Sequence, residues 1–152
     1  YRCSFFYFHF SKMIEFDVTP HLELPDLSNC TSKLIVEGQP VSCPRMTHRD
    51  KWAKRKVVLN YFAYRELLQI NAKLQNFELG DKFFALFVFE PPKSWSNKKR
   101  KESIGVPMIQ KPDCDNVTKG LLDSLKAEDK SVWHIIVKKI YGEKGMTIIL
   151  NF

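Results

Sequence analysis

Residues 83–89 read Phe-Phe-Ala-Leu-Phe-Val-Phe, seven apolar side chains in a row behind a Gly80-Asp81 turn. Successive side chains of a strand point to opposite faces, so this segment presents apolar groups on both. A strand of this kind is expected to be buried on both faces, beside other strands and under other elements. The remainder of a 152-residue chain, 44% hydrophobic and 27% charged, is enough to supply one such core. No apolar run approaches the ~20 residues that a membrane-spanning helix requires, which excludes a membrane protein.

Other elements group around that strand. Leu34-Ile35-Val36 runs into Gly38-Gln39-Pro40 and reads as a strand entering a turn. From Val58 to about Leu74, the residues Leu59, Phe62, Ala63, Leu67, Ile70 and Leu74 recur every three or four positions, the pattern of an amphipathic helix. Val117, Leu121, Leu122 and Leu125 form the core-facing stripe of a second helix. Ile135–Ile140 and Met146–Asn151 flank Gly142–Gly145 and read as an antiparallel hairpin closing the domain. The order β–α–β–α–β–β predicts an α+β fold, a mixed β-sheet with two main helices packed on one face.

Residues 1–32 are assigned to an N-terminal arm and residues 33–152 to the domain. The first twelve residues are crowded with aromatics and lack an initiating Met, so Met13 is taken as the natural start and residues 1–12 as a non-native extension. The cysteines, Cys3, Cys30, Cys43 and Cys114, are widely spaced and show neither zinc-ligand pairs nor a disulfide framework. With no secretory signal, the expected location is the cytoplasm.

Charge is uneven as well as positive. The chain carries 24 Lys and Arg against 17 Asp and Glu, a net +7, while residues 1–32 hold more acid than base. A basic body favours a polyanionic partner, nucleic acid first, although a basic surface also serves solubility alone. Two segments concentrate the cations: PRMTHRDKWAKRK (residues 44–56) and PPKSWSNKKRK (residues 91–101). Each contains a Trp, Trp52 or Trp95, that could stack on an unpaired base or anchor its loop to the core. Trp133, placed in a strand, is expected in the core.

Against this background stands a cluster of acids. Asp113 and Asp115 are separated by one residue, so in an extended segment both carboxylates point to one side, an oxygen-rich pair suited to a hard cation. Helix capping by Asp115 is the ordinary alternative. Asp115, Lys119 and Asp123 lie at i, i+4 and i+8 on one helical stripe, either a solvated ladder or a lysine one turn from metal-binding acids. Glu128 and Asp129 follow at the junction with the next strand. A DNA-binding module would gain by losing such acids, since they repel phosphate unless a cation intervenes. A metal-dependent phosphodiesterase needs both the acids and the basic loops.

The string KPDCDNVTKGLLDSL followed by EDKSVW resembles the signature of RusA-type Holliday-junction resolvases, small phage and prophage endodeoxyribonucleases. GQPVSCPRMTHRDKWAKRK, KSWSNKKRK and VWHIIVKKIYGEKG are similar to the phage branch, and the resemblance covers about Lys33 to Phe152. It implies a homodimeric, Mg²⁺-dependent nuclease, with Mn²⁺ substituting, that cuts four-way and other branched DNA. Carried over by position, Asp113, Asp115 and Asp129 become metal ligands and catalytic acids, and Lys119 the catalytic lysine. Asp123 and Glu128 take supporting roles. Arg45, Arg49, Lys51, Lys98, Lys99 and Arg100 would then hold the DNA backbone. Cys114 stands where the family has an aliphatic residue, and the Asp123–Glu128 stretch is shorter than in cellular members. A nuclease acting mainly on flaps or forks, and a non-catalytic junction binder, are the competing readings. A regular helix from Asp115 to Lys126 would be ~17–18 Å long, so Asp129 meets Asp113 only if the chain doubles back or if two subunits share the site.

Overall fold

The computed structural model describes residues 25–51 and 55–152. Residues 1–24, with most of the arm, Met13 and Cys3, lie outside the described residues, as does Trp52. Pro25 and a 3₁₀ turn at Leu27–Asn29 lead into β1 (Ser32–Glu37).

The apolar run is β2 (Lys82–Phe89), and Phe83–Phe89 are all buried, none more than 3% exposed. On one side it pairs in parallel with β3 (His134–Tyr141), in register from Lys82↔His134 to Phe89↔Tyr141. On the other it pairs antiparallel with β4 (Met146–Asn151), which in turn pairs antiparallel with β1. The sheet is therefore mixed, with strand order β1-β4-β2-β3. A helix at Lys56–Leu74 (α1) and one at Cys114–Leu125 (α3) pack with the Phe83/Ala85/Phe87/Phe89 face in one core. Phe84, Leu86 and Val88 belong to a second cluster with Ile140, Ile148 and Leu150. This is the α+β arrangement read from the sequence. Among the described residues, no helix is long and apolar enough to cross a membrane.

Three expectations are corrected. The last two strands are not a hairpin: β3 and β4 lie on opposite sides of β2, and the Gly142–Gly145 link crosses the end of β2. Gly142 N donates to Phe89 O at 2.9 Å, and Gly38 N to Gly145 O at 2.9 Å. A Cβ on Gly145 would sit 2.6 Å from Gln39 Cα, so the link passes only because that position is Gly. A short Gly-bounded turn carries no information about which strands it brings side by side.

In α1 the buried face is Val58, Tyr61, Tyr64, Leu68 and Ala72, whereas Leu59, Phe62, Ala63, Ile70 and Leu74 are exposed and Leu67 is half-buried. The helix is apolar on both sides, and its two tyrosines settle the choice. Tyr64 OH reaches Thr147 Oγ1 at 2.6 Å inside the core, so the ring is buried with its hydroxyl satisfied. Trp133, finally, is 72% exposed at the entrance to β3, with its ring against His134 at 5.4 Å.

Candidate active site

The two acids of the Asp-x-Asp pair stand where the C-terminal ends of β2 and β3 meet the start of α3. Residues 107–112 close the outer edge of β3: Pro107 bridges Ile140, Met108 N donates to Lys139 O at 2.9 Å, and Tyr141 OH donates to Gln110 Oε1 at 3.0 Å. Lys139 Nζ donates to the carbonyls of Gln110 and Pro112. These contacts fix the backbone entering Asp113. Asp113 occupies the N-cap position with extended backbone, yet its side chain makes no capping bond, and Asp115 follows in the first turn. Both are exposed, and among the described residues neither carboxylate has a hydrogen-bond or ion-pair partner. The capping alternative therefore does not account for them. The helix N-terminus favours negative charge here, which keeps two adjacent acids tolerable.

A strap at residues 41–43 crosses α3 one turn further on. Cys43 N donates to Asn116 O at 3.1 Å, and Gly120 makes room beneath. A Cβ there would lie 3.2 Å from Cys43 N and 3.4 Å from Tyr61 Cε2. The strap separates two clefts. One is lined by Gln39, Ser42, Glu90, Gln110, Asp113 and Asn116. The other is lined by Arg45, Arg65, Lys119 and Asp123 among others. Asp115 and Lys119 thus lie one turn apart on the same exposed stripe, with Asp113 just across the strap. Asp123 accepts the Cys43 thiol at 3.8 Å. Burial, assisted by Cys43 and Asp123, pushes the nearby Tyr61 phenol up to about 12, so it stays protonated. Glu90, beside Asp113, and Arg65, beside Lys119, escape a reading based on the sequence. Glu90's one signal is its place directly after the buried run, at the carboxyl end of a central strand.

The third acid is elsewhere. Asp129 lies between the end of α3 and the start of β3, where Val132 N donates to Asp129 O at 3.0 Å and Trp133 N to Asp81 O at 3.0 Å. Asp113 lies by the other end of β3, about 25 Å away along an eight-residue strand. Lys126 Nζ pairs with Asp81 and also donates to Leu79 O at 3.2 Å, while Ser131 Oγ donates to Asp81 at 2.7 Å. Lys126 and Ser131 hold the Asp81 carboxyl below its usual range. Glu128 is paired with Lys130. Among the described residues of one chain, no group of three or more His, Cys, Asp or Glu side chains is placed to hold a metal ion. The exposed Asp113/Asp115 pair has the donor chemistry for a hard cation; Asp129 of the same chain does not complete it.

A family model described as Endodeoxyribonuclease RusA matches residues 37–150. The chain belongs to the RusA family. No curated protein and no solved structure matches it. The match spans β2, β3, β4 but for its last residue, both long helices and every candidate acid, leaves out all of β1 but Glu37, and makes DNA hydrolysis the relevant chemistry.

In this RusA chain the described parts of the two basic segments are held by different contacts. Asp50, the lone acid of residues 44–56, accepts Thr47 N at 2.6 Å and Arg55 Nε at 2.5 Å. Those bonds hold its carboxyl well below the usual range and fold the segment around a 3₁₀ turn at His48–Lys51. The side chains of Arg49 and Lys51 lie outside the description. Arg45 is exposed, and its carbonyl accepts Arg55 Nη2 at 3.1 Å. The other segment contains a helix the sequence reading missed, α2 (Asn97–Glu102), capped by Ser96 Oγ from Lys99 N at 3.3 Å. Trp95 anchors it, packing on Tyr141 at 5.4 Å with Lys99 Nζ 4.2 Å above its ring. Lys98 is exposed, and Arg100 is half-buried with its Nε unpartnered among the described residues.

Proposed function

We propose that this RusA-family protein is a divalent-metal-dependent endonuclease that resolves four-way DNA junctions as a homodimer. The observation that carries the reading is the exposed first half of α3, where Asp113, Asp115 and Lys119 have no intramolecular partner among the described residues. Charged groups in a folded protein usually find partners or face solvent singly. Two acids and a lysine left uncommitted within two helical turns, flanked by basic segments, suit an external phosphate and a cation.

Asp113 and Asp115 would hold the cation, Mg²⁺ or Mn²⁺, together with Asp129 from a second copy. When bound, such a cation polarises the phosphate and lowers the pKa of an attacking water. A second copy lying antiparallel alongside the part of β3 that residues 107–112 leave open would bring its own Asp129 end toward this chain's Asp113 end, and two-fold symmetry would repeat the site. Lys119 neutralises charge that develops on the phosphate oxygens. Asp123 steadies the strap through Cys43, and Glu128 stays a peripheral acid. Arg45, Arg49, Lys51, Lys98, Lys99 and Arg100 neutralise the DNA backbone with little base readout.

The test is a labelled synthetic four-way junction with Mg²⁺, cut by wild type and by Asp115→Asn. Symmetric nicking by wild type alone supports the reading. Preferential cutting of flaps or forks would redirect it to another branched substrate. Tight junction binding without cutting by either protein, in Mg²⁺ or Mn²⁺, would overturn it in favour of a non-catalytic binder.

A further inference from the structure

The cleft beyond the strap is larger than a lysine requires. It encloses about 600 Å³ and is built from three parts of the chain: Cys43 of the strap with Pro44–Met46 after it, Tyr61, Phe62 and Arg65 of α1, and Lys119 and Asp123 of α3. Its charge is strongly asymmetric. Arg45, Arg65, Lys119 and Lys126 face a single acid, Asp123, and that acid is engaged by the Cys43 thiol. Lys126 is tied to Asp81, but Arg65 and Lys119 have no hydrogen-bond or ion-pair partner among the described residues. Between these cations the lining is apolar, and two of its side chains are far from buried: Phe62 is 47% exposed and Met46 is 46% exposed. A cleft made only to bind duplex backbone would need the cations and gain nothing from an exposed aromatic ring. A cleft made for a protein partner would not gather four guanidinium and ammonium groups around one acid.

We infer that this cleft receives one unstacked nucleotide of the DNA strand, its phosphate on Arg65 and Lys119 and its base against Phe62 and Met46. The inference rests on the reading of the protein as a branched-DNA nuclease and specifies what that site reads. An aromatic face accepts any base, so the contact selects for an unpaired nucleotide and not for sequence. Because Lys119 lies one turn from Asp115, the nucleotide held here is a near neighbour of the phosphate at the acids. The branch point of a junction supplies strands whose bases can leave the stack at little cost, whereas an intact duplex does not.

The two halves of the cleft separate in binding experiments on the full chain, run without divalent cations so that nothing is cut. The probes are a four-way junction with 2-aminopurine at the branch point and a plain duplex of equal length. Arg65→Gln should weaken binding to both DNAs and reduce the slope of log K against log salt by roughly 0.7–0.9, the value of one phosphate contact. Phe62→Ala should leave that slope and the duplex affinity unchanged, weaken junction binding by about tenfold, and abolish the wild-type change in 2-aminopurine emission. Phe62→Tyr should restore the emission change and Phe62→Leu should not, which sets stacking apart from mere packing. Equal losses on junction and duplex for Phe62→Ala, or full rescue by Phe62→Leu, would overturn the inference while leaving the nuclease reading intact. Failure of the wild type to prefer the junction at all would instead overturn the nuclease reading.

Discussion

The two ends of α3 carry the same kinds of residue and use them in opposite ways. At the C-terminal end Lys126, Asp81, Ser131, Glu128 and Lys130 are bound to one another or to main chain, and they close the turn into β3. At the N-terminal end Asp113, Asp115 and Lys119 are bound to nothing among the described residues, although the backbone carrying them is fixed by Lys139, Gln110 and the strap. Spacing and composition cannot tell these ends apart. What separates them is that one satisfies its charges internally and the other leaves its charges unpaired on a hydrogen-bonded backbone, as the proposed site requires.

That contrast can be broken most forcefully at the N-terminal end. Asp115→Asn should lower junction nicking in Mg²⁺ by at least about a hundredfold while junction binding is kept or tightened, measured by single-turnover cleavage and by gel retardation. The next test asks whether the two ends meet across copies. Asp113→Asn and Asp129→Asn should each be inactive alone, but a mixed dimer should regain one working site and nick a single strand. A mixed dimer as dead as its parents would place all the acids of a site within one subunit. Outside α3, Tyr64→Phe strands Thr147 in the core and should lower stability by about 1–3 kcal/mol in chemical denaturation, with activity per folded molecule unchanged.

The C-terminal end should give smaller effects, confined to stability. Ser131→Ala should lower Tm by no more than a few degrees and leave nicking unchanged. Asp81 also has a pH signature. Its folded pKa lies below the ordinary 3.8, so its contribution is complete above that value and is lost only as pH falls through the lower folded pKa. The amides of Trp133 and His134, which bond to Asp81 O, should accordingly keep their exchange protection as the pH passes down through 3.8. Loss of that protection at or above 3.8 would show that Lys126 and Ser131 do not hold the carboxyl.

Every strand was legible, because each is a short apolar run bounded by Gly, Pro or charge, and β2 could be nothing else. Both long helices were legible for the same reason. Pairing was not, since the order β1-β4-β2-β3 depends on contacts between residues more than a hundred positions apart, such as Ser32 with Asn151. The buried face of α1 was misread because apolar residues occupy both of its sides and only the reach of Tyr64 to Thr147 distinguishes them. At the site, spacing on one helix gave the shared stripe of Asp115 and Lys119 and the distance to Asp129, while the roles of these residues came only with the family resemblance. Glu90 and Arg65 did not, for each joins its cleft from a different element.

The place of β4 has a consequence for how the protein is made. Residues 146–151 are made after the other three strands, yet they occupy the middle of the sheet and supply partners to β1 and β2 together. Until they emerge, β1 has no neighbour, and the Phe84/Leu86/Val88 face lacks Ile148 and Leu150. The sheet therefore cannot close before β4 has been made, and it then closes through contacts of high sequence separation, which are slow to form. Until then the Phe84/Leu86/Val88 face of β2 stays open to water, and the nuclease cannot become active on DNA before β4 has been made.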